Sequence, residues 1–447
     1  MIRDSYWLDR DYTPLPSLEG DLVVDIAISG GGITGLTEAL YLAEAGARVA
    51  VLERREIATG ASGRNGGFLL AGTHEYYVEA VEELTALYGP DGRRQAAAAW
   101  RLAIENHRMM ADIMHRYDIA CDYYNHGSYI VAMTKPDRGS HPNPMKQIVE
   151  SYHLLAEDGF DVGLTERDAT QTLLRSPAVA GALWNKFDGE IHPVKYVRGV
   201  SGAARVSGAL IFEQTPILEM TRVREGFLLH TPAGRVHAER VLLGMNAYTP
   251  QLDESYEQRI IPNRGQVFTT EPLTERLFNG VFYANDGWEY WRQLHDGPGE
   301  GGRILFGGSR NHHIRAERGF HFLQRNGKRI KTYRGYKERP TRPVQASNDL
   351  AFNRTFPSLA PLKRSHRWGG TMGFSYDSSP FVGETDTPGV YIIAGFTGRG
   401  NAYATAAARI IADQLLGQAS ELGERFSTVG TVFDAKRGKD NAVNRRL

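Results

Sequence analysis

The run Leu-Val-Val-Asp-Ile-Ala-Ile-Ser at residues 22–29 ends a polar leader and reads as a buried strand. A glycine-rich turn follows. Over Ile33–Ala45 the apolar residues Leu36, Ala39, Leu40 and Ala43 recur on one face, the spacing of a helix. Arg48–Glu53 is a second apolar strand, so the three elements predict a βαβ unit and a parallel sheet. Tyr76–Tyr117 has helical spacing in two pieces divided by Gly89-Pro90-Asp91-Gly92. Its stripe Trp100, Ile104, Met110, Ile113, Met114 is read as core packing. Beyond Gly127 the pattern turns mostly to strand and turn: Ser128–Ala132, Arg222–Thr231, Val236–Leu243, Gln266–Thr270, Glu289–Gln293 and Ile304–Gly307. Strand, glycine-rich turn and helix return at Val390–Gly395 and Asn401–Leu416. The polar tail from Asp434 is expected to be poorly ordered. No internal repeat or long linker interrupts this order.

Composition changes the picture in few places. A chain of 447 residues is ample for a two-lobed enzyme. Its 49 glycines exceed the usual ~7% and suggest tight turns or close backbone approach to a ligand. Lys+Arg and Asp+Glu both count 52, so net charge supplies no argument for nucleic acid or an anionic membrane. A single cysteine, Cys121, excludes an internal disulfide and a cysteine-cluster metal site. The first residues carry no basic segment leading into an apolar one, and no apolar run reaches the ~18 residues of a membrane span. A cytoplasmic protein is expected.

Gly30-Gly31-Gly32-Ile33-Thr34-Gly35 satisfies G-x-G-x-x-G between the first strand and the first helix. Gly30 permits the tight turn, Gly32 lets the backbone approach a pyrophosphate, and Gly35 lets helix and strand pack closely. Glu53 ends the second strand, placed to accept from ribose hydroxyls; its charge disfavours a 2′-phosphate and hence NADP. NAD and FAD share this much. The loop Gly60-Ala61-Ser62-Gly63-Arg64-Asn65-Gly66-Gly67-Phe68 favours FAD, because a second polar, glycine-rich loop offers backbone N–H groups along an extended flavin.

At these residues the chain resembles the D-amino-acid-oxidase-like (DAO) family of FAD-dependent oxidoreductases. Its motifs lie nearest the branch that oxidises gamma-glutamylputrescine, glycine and sarcosine. Further landmarks are Asp188-Gly-Glu-Ile-His-Pro193, Glu213–Ile217, Ala238–Tyr248, Arg367-Trp-Gly-Gly370 with Asp377–Gly383, and Gly395-Phe-Thr-Gly-Arg-Gly400. The resemblance implies an α/β (α+β) fold: a Rossmann-type FAD domain of the glutathione-reductase-like kind, with a second, mainly antiparallel-sheet substrate domain. The expected division is 20–75, 160–255 and 365–430 for FAD, 76–159 and 256–364 for substrate, and 431–447 as the tail. Carried over by position, Gly30, Gly32, Ile33 and Gly35 hold the pyrophosphate, and Glu53, Arg54 and Ile217 the adenosine side. Ala61, Ser62, Arg64, Asn65, Gly66 and Gly67 line the way to the flavin, with Gly370 beside it. Phe396, Gly398, Arg399, Gly400 and Asn401 bring a helix N-terminus to the pyrimidine edge.

Two departures refine this. Gly370 and Arg64 stand about where some relatives carry a flavin-linking cysteine or histidine, so non-covalent FAD is expected. No arginine lies near Thr371 or Met372, where relatives pair an α-carboxylate, which favours an amine whose reacting carbon bears none. The implied reaction is oxidation of a primary or secondary amine to an imine by hydride transfer to flavin N5, then hydrolysis. Oxygen or a quinone takes the electrons, and the protein is a monomer or homodimer. Oxidation of a 2-hydroxyacid or glycerol phosphate, an NAD-dependent dehydrogenase and a non-catalytic flavoprotein assembly factor are the alternatives.

The candidate catalytic residues are Tyr290, Arg292 and His126. Trp288, Tyr290 and Arg292 alternate on one strand face, an aromatic wall with Arg292 as an anion anchor. The competing reading is an aromatic face in the core with an ordinary arginine. His126 and His192 are more often structural, and His312-His313 lacks neighbours at metal-ligand spacing, so no metal is assigned. Arg325–Arg342 carries eight Lys/Arg against Glu338 alone, and reads first as a solvated face.

Overall fold

The computed structural model describes residues 5–8, 11–72, 76–297, 300–325, 327–376, 378–425 and 434–436. The first apolar run is the middle of an open sheet. Leu22–Ser29 pairs in parallel with Val49–Leu52 on one side and Arg235–Leu243 on the other. Leu210–Phe212 and Val390–Ala394 extend the parallel arrangement outward, and Phe381–Glu384 closes one edge antiparallel. Such strands must be covered on both faces, and Val49–Leu52 is buried throughout. The helix Ile33–Glu44, buried from Ile33 to Ala43, packs on the helices Pro193–Val206 and Gly400–Leu415. The long helix Gly92–Arg116 crosses Gly400–Leu415 and buries the whole Trp100–Met114 stripe. Asn106 stitches the crossing: its Oδ1 accepts from Thr405 N (2.9 Å) and Ala406 N (3.0 Å), and its Nδ2 donates to Asn401 O (2.8 Å).

A second sheet of eight strands runs Arg364–Ser375, Ile260–Thr270, Ile304–Gly308, Glu289–Gln293, Val281–Ala284, Ser128–Met133, Val179–Asn185, Val162–Glu166. All neighbours are antiparallel except Val281–Ala284 with Ser128–Met133. The expected boundaries at 160 and 365 therefore need correction. Val162–Glu166, Val179–Asn185 and Arg364–Ser375 complete the antiparallel sheet, and the chain re-enters the other layer only at Gly189–Val206.

Four helices lie where strand and turn were expected: Pro144–Glu157, Arg167–Leu174, Pro193–Val206 and Arg342–Thr355. Three have proline in the first turn, which costs no helix hydrogen bond there. Asn143 and His192 cap two of them by accepting from the backbone N–H groups of Lys146 and Lys195. Most of the 431–447 tail lies outside the described residues, so its expected disorder does too.

Candidate active site

Two cavities meet at the glycine-rich loop, and Ala61 borders both. The first lies over the C-terminal ends of the parallel strands and is walled by Gly30–Gly32, Glu53, Arg54, Ile217, Met245 and Tyr248. Gly30 has φ +109°, and a Cβ on Gly35 would sit 2.1 Å from Gly30 O, so turn and helix meet backbone to backbone. The helix N-cap is Gly32, with no side chain to occupy the terminus; Ser62 Oγ accepts from Ile33 N at 3.0 Å instead. The Glu53 carboxylate is fixed by Gly31 N (2.7 Å) and Arg55 N (2.8 Å) at the cavity wall. The Arg54 guanidinium lies 3.9 Å over the Tyr248 ring.

Of the stretch read as a solvated basic face, Lys328–Lys331, Arg339 and Arg342 are exposed, while Arg334–Glu338 packs here. Tyr336 lies against Tyr248 (4.2 Å between centroids). Glu338 takes Arg55 (2.6 Å) and the Tyr248 hydroxyl (2.7 Å). Arg334 pairs with Glu254 at 2.8 Å, and the Lys337 ammonium donates to Ala316 O at 2.8 Å.

The second cavity lies under the antiparallel sheet. Phe68, Tyr283, Trp288, Tyr290, Met372 and Phe374 supply most of its apolar wall, with Arg64, Asn65, Gly370, Gly398, Arg399 and Asn401 toward the parallel layer. Tyr290 meets Phe68 edge to face at 5.7 Å. Burial pushes its phenol up to about 12, so it keeps its proton across the physiological range. Arg310 projects from the turn after Ile304–Gly308 and lies over Phe374 (4.5 Å) and Trp288 (5.1 Å). No carboxylate stands among the described lining residues, which include Arg64, Arg310 and Arg399.

Several expected residues stand elsewhere. Arg292 is no anion anchor: its guanidinium is buried behind the loop, donating to Gly67 O (3.1 Å) and Ile191 O (3.0 Å), 3.3 Å from Glu190. Burial lowers its pKa, and Glu190 opposes that. His126 is also outside both cavities, stacked on Tyr124 near His295 and Glu190. Those three side chains come within metal-ligand reach of one another, yet the protons are already assigned. Arginine can only donate, so His295 Nδ1 accepts from Arg276 (2.9 Å), leaving Nε2–H to donate to Glu190 Oε1 (3.1 Å). Neither nitrogen is left for a cation. Ile33, Gly35, Gly67, Phe396 and Gly400 support the cavities from behind rather than lining them. His192 caps its helix, and burial takes its pKa down to about 4. Arg310, Phe374, Tyr283 and Tyr248 went unread; only Arg310, after a Gly-Gly turn at a strand end, gave a local signal.

This pair of cavities suits an extended dinucleotide: a helix start with bare glycine at its N-cap for phosphate, a ribose-side carboxylate, and an aromatic chamber at the far end. Residues 25–414 match the family model for FAD-dependent oxidoreductases, DAO. The chain belongs to that family. It is 29% identical over 429 residues to gamma-glutamylputrescine oxidoreductase of Escherichia coli K12, covering 94% of this chain and 89% of the relative. Its fold is that of L-proline dehydrogenase from P. horikoshii (TM-score 0.70, 19% identity, 94% of this chain and 100% of that one). Glycine oxidase from Geobacillus kaustophilus is similar too (TM-score 0.69, 18% identity, 95% and 100%). The protein is an FAD-dependent oxidoreductase. No helix among the described residues is long and apolar enough to cross a membrane.

Proposed function

We propose that the protein oxidises the C–N bond of a primary or secondary amine whose reacting carbon carries no carboxylate, using non-covalently held FAD. The carrying observation is the aromatic chamber beside Asn65–Gly66 and Gly398–Asn401, with no carboxylate among its described lining residues. FAD, when bound, supplies the two-electron acceptor. The chain's own contribution is position and field. The wall of Phe68, Tyr283, Trp288 and Tyr290 excludes water around the amine. A lining that carries Arg64, Arg310 and Arg399 disfavours the ammonium form and so favours the neutral amine from which oxidation starts. The imine that leaves is hydrolysed to a carbonyl compound and the freed amine or ammonia. Met372, on the wall where an α-carboxylate partner is missing, fits a substrate without that group. Arg310, over Phe374 and Trp288, would take a carboxylate carried farther along the molecule.

The name of the Escherichia coli relative supports the amine reading. Non-covalent attachment is supported by Gly370 and Arg64 at the candidate linkage positions and by Cys121, which is buried away from both cavities. Oxygen or a quinone is the proposed acceptor. Arg310 also supports a second reading, a 2-hydroxyacid whose carboxylate it would hold. An anaerobic screen of polyamines, N-methyl amines, carboxylated amines, amino acids and hydroxy acids separates the two. Bleaching of the flavin band by amines is expected, and bleaching by hydroxy acids alone would overturn the assignment.

A further inference from the structure

The carbonyl oxygens of the flavin-side loop are turned outward and claimed one after another. Ser5 Oγ donates to Gly63 O (2.8 Å), Trp368 Nε1 to Arg64 O (3.0 Å) and Trp7 Nε1 to Asn65 O (2.8 Å). Gly67 O is held by Arg292 and by Ile191 N (2.9 Å), and Phe68 O by Asn401 Nδ2 (3.0 Å). Two of these donors belong to the leader before the first strand, a segment whose sequence carries no cofactor motif. Trp7 is 4% exposed, seated against His192 (4.8 Å between rings) and under Arg292 (5.3 Å), and Trp368 is fully buried.

A trans peptide points its C=O and the following N–H in opposite directions. Holding Arg64 O therefore aims the Asn65 N–H, and holding Asn65 O aims the Gly66 N–H, away from the indoles and toward the side where both residues line the chamber. Among the described residues neither N–H has a protein acceptor. Asn65 and Gly66 are half-buried on the cavity wall, where unclaimed N–H groups are open to a ligand acceptor.

We infer that Trp7 and Trp368 are positioning residues: each locks one peptide plane so that the Asn65 and Gly66 N–H groups form a paired donor site for an acceptor atom of the bound flavin. Reduction adds negative charge to the flavin ring system, so fixed donors bind the reduced form more tightly than the oxidised form. The leader is thereby part of the cofactor site. This rests on family membership and not on the identity of the substrate.

The test uses full-length W7F and W368F, each keeping a ring but losing the indole donor, with W100F as control. Trp100 is a buried tryptophan of the helix core. Apo-protein is titrated with FAD and the two-electron midpoint potential is measured, with far-UV circular dichroism confirming the fold. Each loop variant is expected to raise the Kd of oxidised FAD about tenfold and that of reduced FAD about threefold more. The latter moves the midpoint about 15 mV more negative, since tenfold corresponds to about 30 mV for two electrons. W100F is expected to change neither. Wild-type Kd and potential in both loop variants would overturn the inference, as would equal shifts in W100F. If one loop variant does not fold, the other carries the test alone.

Discussion

Asp188 offers a quantitative check on how the loop is backed. Its carboxyl is fully buried, with Oδ1 accepting from Ala71 N (2.9 Å) and Oδ2 bonded to Ser128 Oγ (2.6 Å). Burial pushes its pKa up from 3.8 to about 7, against the opposing hydrogen bonds from Ser128 and Ala71. Between those values the folded protein keeps a proton that the unfolded chain has lost. Stability from this group is thus full below pH ~4 and declines as pH rises to about 7. At about 1.36 kcal/mol per unit, the whole span is worth about 4 kcal/mol, of which about 3 falls between pH 5 and 8. Asp188→Asn preserves shape: its oxygen still accepts from Ala71 N, and its amide donates to Ser128 Oγ. Urea unfolding of both proteins, saturated with FAD, should show D188N gaining about 3 kcal/mol on wild type between pH 5 and 8. A stability difference that stays flat over that range would refute the reasoning, because Asp188 would then be titrating alike in both states.

Two further substitutions probe the cavities. Gly35→Ala places a Cβ 2.1 Å from Gly30 O and 3.0 Å from the Ile28 side chain. Overpacking costs about 1–3 kcal/mol, and a backbone collision belongs at the upper end; a melting curve indistinguishable from wild type, with FAD affinity intact, would contradict that packing. Arg310→Met should raise KM for a carboxylate-bearing amine by roughly tenfold or more, the worth of a charge-assisted hydrogen bond, while leaving an uncharged amine little changed. Equal effects on both would assign Arg310 to the fold instead.

The βαβ unit was legible because apolar period, turn glycines and the acid at Glu53 agree with one another within 24 residues, 30–53. The four helices after Gly127, three of them proline-led, were not, because short amphipathic segments flanked by strands give weak periodicity, and their caps, an asparagine and a histidine among them, signal only once a helix is suspected. Alternation placed Trp288, Tyr290 and Arg292 on one face, but not how far the cavity runs along it. Two residues beyond Tyr290, about 7 Å along a strand, Arg292 already lies behind Gly67, and the cation on this side of the chamber is Arg310, from the next turn. The leader's part in the loop was invisible for a different reason. Trp7 and Asn65 are 58 positions apart, and a side chain bonded to a backbone carbonyl leaves no pattern in sequence.

The most direct test of the central claim is an anaerobic single turnover of the holoenzyme with the best amine from the screen. One equivalent of carbonyl product and one of freed amine or ammonia should appear for each flavin reduced. Flavin that stays oxidised with every amine, yet is reduced stoichiometrically by a 2-hydroxyacid to its keto acid, would contradict it.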